Sequence, residues 1–383
     1  MARLDVADIR GGLVAKAIAL TLVAGVVRLI IGALTPLFPD ETYYWDWSRS
    51  LGAGYFDHPP LIAWLIRAGT SIAGDSALGV RLGPVVAGTV AGVLLVDAAG
   101  RLAGQRAAWI TALVFALMPL SAAGLVLATP DAPLFACAAA SVWSVLRALE
   151  HAPRSRRSFE WWMMAGVALG FAMTAKYTAA LLPMGIVIAL ALRRSLRIRL
   201  AEPGPYVAVA LAIAVFAPVI AWNADHDWAS FAFQLSHGLT PATGSVVKRE
   251  IDLLGGQLGL VTPVLFVMLV IAAVRATRAD IPALLAITAT VIFAFFLYSA
   301  SKRRAEANWP ALAYVPGVLV LAIHEGADRW KKWLRGGMAL AGLLTLVTYV
   351  NTFTPILPVP ARRDPVARSH GWAQLAASVN RTY

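Results

Sequence analysis

Long apolar runs separated by short polar breaks are the feature that most restricts how this chain can fold. A helix needs ~20 apolar residues to cross the hydrocarbon core of a bilayer, and such runs recur along nearly all 383 residues. Charged residues make up only 14% of the chain, against ~25% in soluble domains. The pattern predicts an all-α polytopic membrane protein with about eleven transmembrane helices. The runs lie near 13–35, 80–100, 107–124, 131–149, 161–176, 178–192, 205–222, 256–274, 281–300, 309–324 and 337–353.

The distribution of basic residues predicts the orientation of the chain. There are 33 Lys and Arg residues against 21 Asp and Glu residues, which gives a net charge of +12. If the N-terminus, with Arg3 and Arg10, lies in the cytoplasm, most of these cations fall on cytoplasmic segments, as the positive-inside rule requires. The surplus therefore reports topology. We expect membrane lipids as partners and no nucleic acid.

Two outer connections within the transmembrane region 1–353 are too long to be simple turns. The first outer loop, 36–79, contains an amphipathic stretch at 61–72 that is expected to lie along the membrane surface. The second outer loop, 223–255, mixes aromatic residues with Asp, His and Lys. The tail 354–383 follows the last apolar run and is also predicted to lie outside.

Adjacent carboxylates open the first outer loop, at Asp40 and Glu41, beside a cluster of aromatic residues. Charges close to the apolar core are costly and mark functional candidates. A carboxylate that is desolvated at the membrane boundary has a raised pKa and can accept a proton from a hydroxyl group. The alternative is a helix N-terminus, because Asp after Pro is a common start signal.

The same loop continues through Asp57 and His58, followed by two prolines that restrict the backbone. This pair can bind a metal or a phosphate. An Asp or His turn before proline is also ordinary loop chemistry. His237, in the second outer loop, is a ligand candidate if it meets Asp57 in space.

Three further positions place charge at the outer boundary. Asp131 lies in the short connection between the third and fourth runs, where it can simply cap a helix. Lys176 interrupts apolar residues at the next outer turn, and it either has an anionic partner or extends to the interface. The run Lys302 to Arg304 defies the positive-inside bias, and it can bind phosphate or anionic lipid headgroups.

Taken together, these segments resemble the C-type glycosyltransferases that use polyprenyl-phosphate sugar donors. The resemblance is strongest to the bacterial, protein mannosyltransferase-like branch that includes the lipid A aminoarabinose transferases. Six segments carry it, in matching order over nearly the whole chain: PDETYYW (39–45), YFDHPPL (55–61), TPDAP (129–133), TAKYTA (174–179), FQLSHG (233–238) and KRRAEANWP (302–310).

The resemblance implies a role for each matching residue. Asp40 is the expected catalytic base, with Glu41 beside it, and Asp131 is a second acidic residue that faces the same cavity. The residues expected to bind the donor phosphate and the substrate are Tyr44, His58, Lys176, Tyr177, Lys302, Arg303, Arg304 and Asn308.

Two features of the family are less simply matched. Asp57 and His237 occupy positions that can hold a divalent metal, and no other cofactor is implied. His58 stands where the family has a positively charged residue before proline. The family usually carries a soluble outer domain after the last span, whereas the tail 354–383 implies a domain that is absent, shortened or truncated.

The implied reaction moves a sugar from a polyprenyl-phosphate donor to a hydroxyl or phosphate of an acceptor, while Asp40 takes the proton. The expected acceptor is a glycolipid resembling lipid A or lipopolysaccharide, or a protein. The expected location is the bacterial inner membrane, with the active site on the periplasmic face. The sequence identifies neither the sugar nor the acceptor.

Two other classes of protein remain open from the sequence. A transporter or lipid flippase typically has paired repeats and charges near the midplane of the membrane. This chain shows no repeat, and its unusual charges gather at one boundary. A scaffold protein would leave the outer cations and the Asp40–Glu41 pair without a purpose.

Overall fold

The computed structural model describes residues 12–324, 328–354, 356–358, 360 and 366–382. Within these residues the chain forms α-helices and 3₁₀ turns joined by short connections, and no β-strand. Arg3, Arg10 and parts of the tail 354–383 lie outside the described residues. The predicted all-α class is confirmed.

Fifteen α-helices of ten or more residues are described. In chain order they are α1 Leu13–Leu34, α2 Pro39–Arg49, α3 Leu61–Ala73, α4 Ala77–Leu117, α5 Asp131–Leu149, α6 Arg156–Ala175, α7 Leu181–Leu192, α8 Pro203–Asp225, α9 Ala229–Leu239, α10 Val246–Val261, α11 Pro263–Arg275, α12 Asp280–Lys302, α13 Tyr314–Ile323, α14 Asp328–Phe353 and α15 Trp372–Thr382. The four-residue helix Pro119–Ala122 follows α4, and 3₁₀ turns lead into α7 at Tyr177–Ala180 and into α13 at Trp309–Ala313.

Six of the described helices are long and apolar enough to cross a membrane, namely α1, α4, α5, α8, α12 and α14. The number becomes seven if α10 and α11, which meet at a bend of 103°, form one broken span. The predicted number of eleven is therefore not confirmed. Two of the predicted runs, 178–192 and 309–324, fold as shorter apolar helices that follow 3₁₀ turns.

Helix α4 is a hairpin of two helical halves. Ala103 and Gly104 leave helical geometry, and Gly104 has a φ of 80°, which glycine adopts without strain. A Cβ atom added at Gly92 would lie 2.8 Å from the Phe115 ring, and one at Gly100 would lie 3.5 Å from Ala108. The halves are therefore antiparallel, and they correspond to the runs predicted at 80–100 and 107–124.

Small residues let the helices approach closely, as at Gly166 of α6, where an added Cβ would lie 2.3 Å from the carbonyl oxygen of Ala208 in α8. One end of the bundle holds a set of ion pairs: Arg147–Glu150, Arg193–Asp280 and Arg199–Glu202. The start of α2, the start of α5 and the ends of α6 and α12 meet at the other end, where a cavity lies.

Candidate active site

A cavity of about 770 Å³ collects side chains from segments that are far apart in the sequence. Aromatic and aliphatic residues form most of its wall, and a few polar groups converge within it, as is usual for a ligand site. Nine of the residues predicted from the sequence line it: Asp40, Tyr44, Asp57, His58, Asp131, Lys176, Tyr177, His237 and Asn308.

Asp131 and Lys176 form an ion pair in the cavity wall. The Lys176 Nζ atom lies 2.7 Å from Asp131 Oδ1, and the side chains are 11% and 12% exposed. Asn308 Nδ2 donates to the other carboxylate oxygen, Oδ2, also at 2.7 Å. Asp131 begins α5 and Lys176 directly follows α6, so the helix termini bring them together. Each oxygen of Asp131 thus already accepts one hydrogen bond.

Asp40 is in the opposite situation. It lies in the first turn of α2, after Pro39, and its side chain is exposed to the cavity. No hydrogen bond or ion pair joins its carboxylate to any residue that the structure describes. A free carboxylate of this kind can accept a proton from a bound hydroxyl group. Of the cavity acids Asp40 and Asp131, Asp40 is the one without a hydrogen-bonding partner among the described residues.

Glu41 does not line the cavity, contrary to the sequence-based expectation. Its side chain is fully buried and makes a bidentate pair with Arg81, at 2.7 Å to Nε and 2.5 Å to Nη2. It also accepts the backbone N–H groups of Phe38 at 2.9 Å and Ala128 at 2.8 Å. We therefore remove Glu41 from the group that can touch substrate, because its carboxylate has no capacity left for it.

Neutral hydrogen-bonding groups surround these charges. The His58 ring lies 6.1 Å from the Tyr44 ring, and its buried Nδ1 atom has no partner among the described residues. Burial, with the nearby charge of Lys176, lowers the pKa of His58 to about 3, so the ring is neutral. Burial also raises the pKa of Tyr44, and the negative charges of Asp40 and Asp131 raise it further. His58 thus offers a vacant polar atom and no charge.

Helix α9, from the segment predicted as the second outer loop, covers part of the cavity. Phe233 stacks on His237 with ring centroids 5.3 Å apart and packs on Phe56 at 4.9 Å. Gln234 donates to the backbone carbonyl of Asp57. Phe233 and Gln234 belong to the FQLSHG motif (233–238), from which the sequence predicts only His237 as a site residue. Their positions next to His237 were the available signal.

The predicted metal ligands, Asp57 and His237, both line the cavity. Asp57 Oδ1 accepts a hydrogen bond from the Tyr43 hydroxyl at 3.1 Å, and His237 packs between Phe233 and Trp309. Nowhere in the described part of the chain do three His, Cys, Asp or Glu side chains cluster closely enough to hold a metal ion. The described residues therefore do not fit a resident metal.

The basic run Lys302 to Arg304 lies outside the cavity wall. The Lys302 ammonium group sits over the Tyr298 ring at 5.2 Å. Arg303 donates to the Ser236 carbonyl at 2.9 Å, and the largely exposed Arg304 pairs with Glu306 at 3.5 Å. The predicted contact of these three residues with the donor phosphate is not supported, because none of them lines the cavity.

Comparison with known proteins finds a matching family and a relative of this chain. Residues 57–222 match the family described as dolichyl-phosphate-mannose-protein mannosyltransferase. The lipid A galacturonosyltransferase RgtD of Rhizobium johnstonii is 29% identical over 326 residues, which are 84% of this chain and 67% of that protein.

Solved structures address the fold. ArnT from Cupriavidus metallidurans in the apo state superposes with a TM-score of 0.68 at 22% identity, over 95% of this chain and 69% of ArnT. ArnT bound to undecaprenyl phosphate gives the same TM-score at 20% identity, over 93% and 74%. The resemblance predicted from the motifs is thus confirmed: part of the chain matches the mannosyltransferase family, the chain has the fold of ArnT, and it is a membrane glycosyltransferase.

Proposed function

We propose that this glycosyltransferase moves a sugar from polyprenyl phosphate to a hydroxyl or phosphate group of a glycolipid resembling lipid A, with Asp40 as the base. The observation that carries the proposal is the contrast between two acids in one cavity. Asp40 is free, whereas Asp131 is held by Lys176 and Asn308. The first can accept a proton and the second can fix a cation, and glycosyl transfer from a phosphate to a hydroxyl group uses both.

In the proposed reaction the acceptor oxygen attacks the anomeric carbon and forms a new C–O bond. Asp40 takes the proton of that hydroxyl group. The bond between the anomeric carbon and the phosphate oxygen breaks, and the phosphate leaves with the electron pair. An acceptor that is already an ionised phosphate needs no base, so dependence on Asp40 separates the two kinds of acceptor.

The departing phosphate acquires negative charge that a positioned cation can stabilise. Lys176 has three N–H groups, and the structure shows one of them donating to Asp131. The other two can reach a phosphate without breaking that pair. Next to Lys176, the neutral His58 ring contributes a hydrogen-bonding atom rather than a second charge.

The cavity is proposed to open at the periplasmic face of the inner membrane, with the N-terminus in the cytoplasm. The ion-paired end of the bundle carries Arg147, Arg193 and Arg199, as a cytoplasmic end should. We also propose that the two halves of α4 and the helices α6, α7, α11 and α13 complete the eleven predicted crossings.

The donor and acceptor classes rest on the relatives. ArnT has been solved with undecaprenyl phosphate, and RgtD is named for transfer of galacturonate to lipid A. We propose the same two classes here, a polyprenyl-phosphate-linked sugar and a lipid A-like acceptor. A protein acceptor is the alternative that a direct assay must exclude.

The test is sugar transfer by the purified protein in lipid nanodiscs. Undecaprenyl phosphate carrying galacturonate or aminoarabinose is supplied with lipid A or with a peptide, and products are read by mass spectrometry. We expect transfer to lipid A, and we expect Asp40→Asn to lower kcat by about 10²–10⁴-fold at an unchanged melting temperature.

Asp46→Asn is the matched control, because Asp46 is an exposed acid on the same helix that does not line the cavity. It should retain the wild-type rate. Wild-type activity in the Asp40→Asn protein would exclude Asp40 as the base, and the absence of transfer from either donor to either acceptor would refute the proposed function.

A further inference from the structure

We propose that the buried Glu41–Arg81 ion pair is a positioning device that sets the Asp40 carboxylate relative to the Asp131–Lys176 pair. The inference rests on the proposed function and deepens it, because it names residues that act on the rate without touching substrate. Both side chains are essentially inaccessible to solvent, and neither lines the cavity.

Arg81 joins two helices through its guanidinium group. Its Nη1 atom donates to the carbonyl oxygens of Gly32 and Thr35 and to the Thr35 hydroxyl, and its Nη2 atom donates to the Pro36 carbonyl. These acceptors lie at the end of α1 and just after it, where a helix leaves carbonyl groups without partners. Arg81 itself belongs to α4. The end of α1 is therefore fixed to α4.

Glu41 extends this connection to the active site. Its Oε1 atom accepts from Arg81 Nε and from the backbone N–H of Ala128, three residues before Asp131. Its Oε2 atom accepts from Arg81 Nη2 and from the backbone N–H of Phe38, which precedes α2. One carboxylate thus connects the start of α2 to α4 and to the segment that leads into α5.

The hydrogen bonds of Glu41 determine where Asp40 lies. It is the neighbour of Glu41 along the chain, at a Cα separation of ~3.8 Å, and it has no contact of its own to any described residue that would fix its carboxylate. Lys176 and Asn308 instead hold Asp131 from α6 and from the segment after α12. Loosening Glu41 should therefore move the base and leave the cation in place.

This separation predicts a kinetic signature. A misplacement of ~1 Å at a reacting group costs about 10²-fold in rate. We expect Glu41→Asp, which keeps the charge and shortens the side chain, to lower kcat by roughly 10–100-fold. The KM for the donor should change by less than about threefold, because the Lys176 pair is untouched. Glu41→Gln and Arg81→Lys should act in the same direction.

The experiment compares kcat per folded molecule, donor KM, undecaprenyl phosphate binding and melting temperature. Glu202→Gln is the matched control, because Glu202 is also a buried carboxylate that pairs with an arginine, Arg199, and accepts a backbone N–H, that of Arg154. It lies at the opposite end of the bundle, so it should lower the melting temperature without lowering kcat.

If the Glu41 and Arg81 variants fail to fold, Thr35→Val decides the question. It removes one acceptor of Arg81 and keeps both charges, and a severalfold fall in kcat at constant KM is expected. Wild-type kcat in every folded variant, or a rise in donor KM in place of the fall in kcat, would overturn the positioning role. Those results would leave the wild-type transfer and the Asp40→Asn loss intact, whereas an inactive wild type would refute the proposed function itself.

Discussion

Replacing Lys176 by Met should destabilise the protein by about 3–5 kcal/mol, the usual cost of leaving one member of a buried ion pair without its partner. The side chains of Lys176 and Asp131 are 11% and 12% exposed, and their charged atoms are 2.7 Å apart. At an effective dielectric constant of ~20, the direct attraction is about 6 kcal/mol before desolvation is subtracted. Without Lys176, only the Asn308 amide remains to satisfy the Asp131 carboxylate.

The double variant Lys176→Met/Asp131→Asn separates charge from packing. It removes both charges and keeps an amide that can bond to Asn308, so we expect it to recover at least about 2 kcal/mol relative to Lys176→Met alone. The free energies of unfolding can be measured by titration with SDS in mixed micelles. Binding of undecaprenyl phosphate to the folded single variant should weaken as well, because a negative carboxylate would then face the phosphate.

The matched control is the exposed pair Arg156–Glu160, whose side chains are 91% and 48% exposed. Arg156→Met should cost less than about 1 kcal/mol, as for most surface pairs. A double variant no more stable than Lys176→Met would refute the reasoning, since the loss would then come from the missing lysine stem rather than from the unpaired Asp131 charge.

Three further predictions concern packing, pH and the basic run. Gly166→Ala should destabilise the bundle by about 1–3 kcal/mol through the clash with Ala208, whereas Gly255→Ala, which meets nothing within 4 Å, should not; melting temperatures test both. The pKa of His58 falls from 6.5 to about 3 on folding, so the unfolded chain binds more protons than the folded chain between these pH values. The free energy of unfolding should therefore fall as the pH drops below 6.5, by at most about 1.4 kcal/mol per pH unit. His58→Phe should make the free energy of unfolding depend less on pH in this range. Arg303→Ala should leave donor KM unchanged, because Arg303 lies outside the cavity.

Hydropathy predicts the helices of this fold better than it predicts their lengths. The run at 256–274 was expected to be one span, yet Thr262 has a φ of 77°, and α10 and α11 meet there at 103°. The Thr262 hydroxyl accepts the Leu265 N–H at the start of α11, and Pro263 occupies the first helical position. Such a break depends on local hydrogen bonds and not on apolarity, so an apolar run does not reveal it.

The two acids at 40 and 41 show what helical phase adds to a motif. Residues four apart share a helical face, and Asp40 and Tyr44 both line the cavity. Glu41 is offset by about 100° around the helix and faces Arg81 instead. The phase could be read from the sequence, since the motif begins a helix. The partner could not, because Arg81 is 40 residues further on.

The basic run illustrates when a misplaced charge indicates a ligand site. Lys302 ends α12, where a cation is favourable to the helix dipole, and the N–H group of Arg303 is used by the Ser236 carbonyl. Lys176, by contrast, donates one hydrogen bond, and its acceptor is Asp131, which lines the cavity. Both positions are anomalous under the predicted orientation, but they differ in location, since Lys176 lines the cavity and Arg303 does not. An anomaly in charge is therefore informative when the cation also faces a cavity and keeps N–H groups for a ligand, and Lys176 meets both conditions.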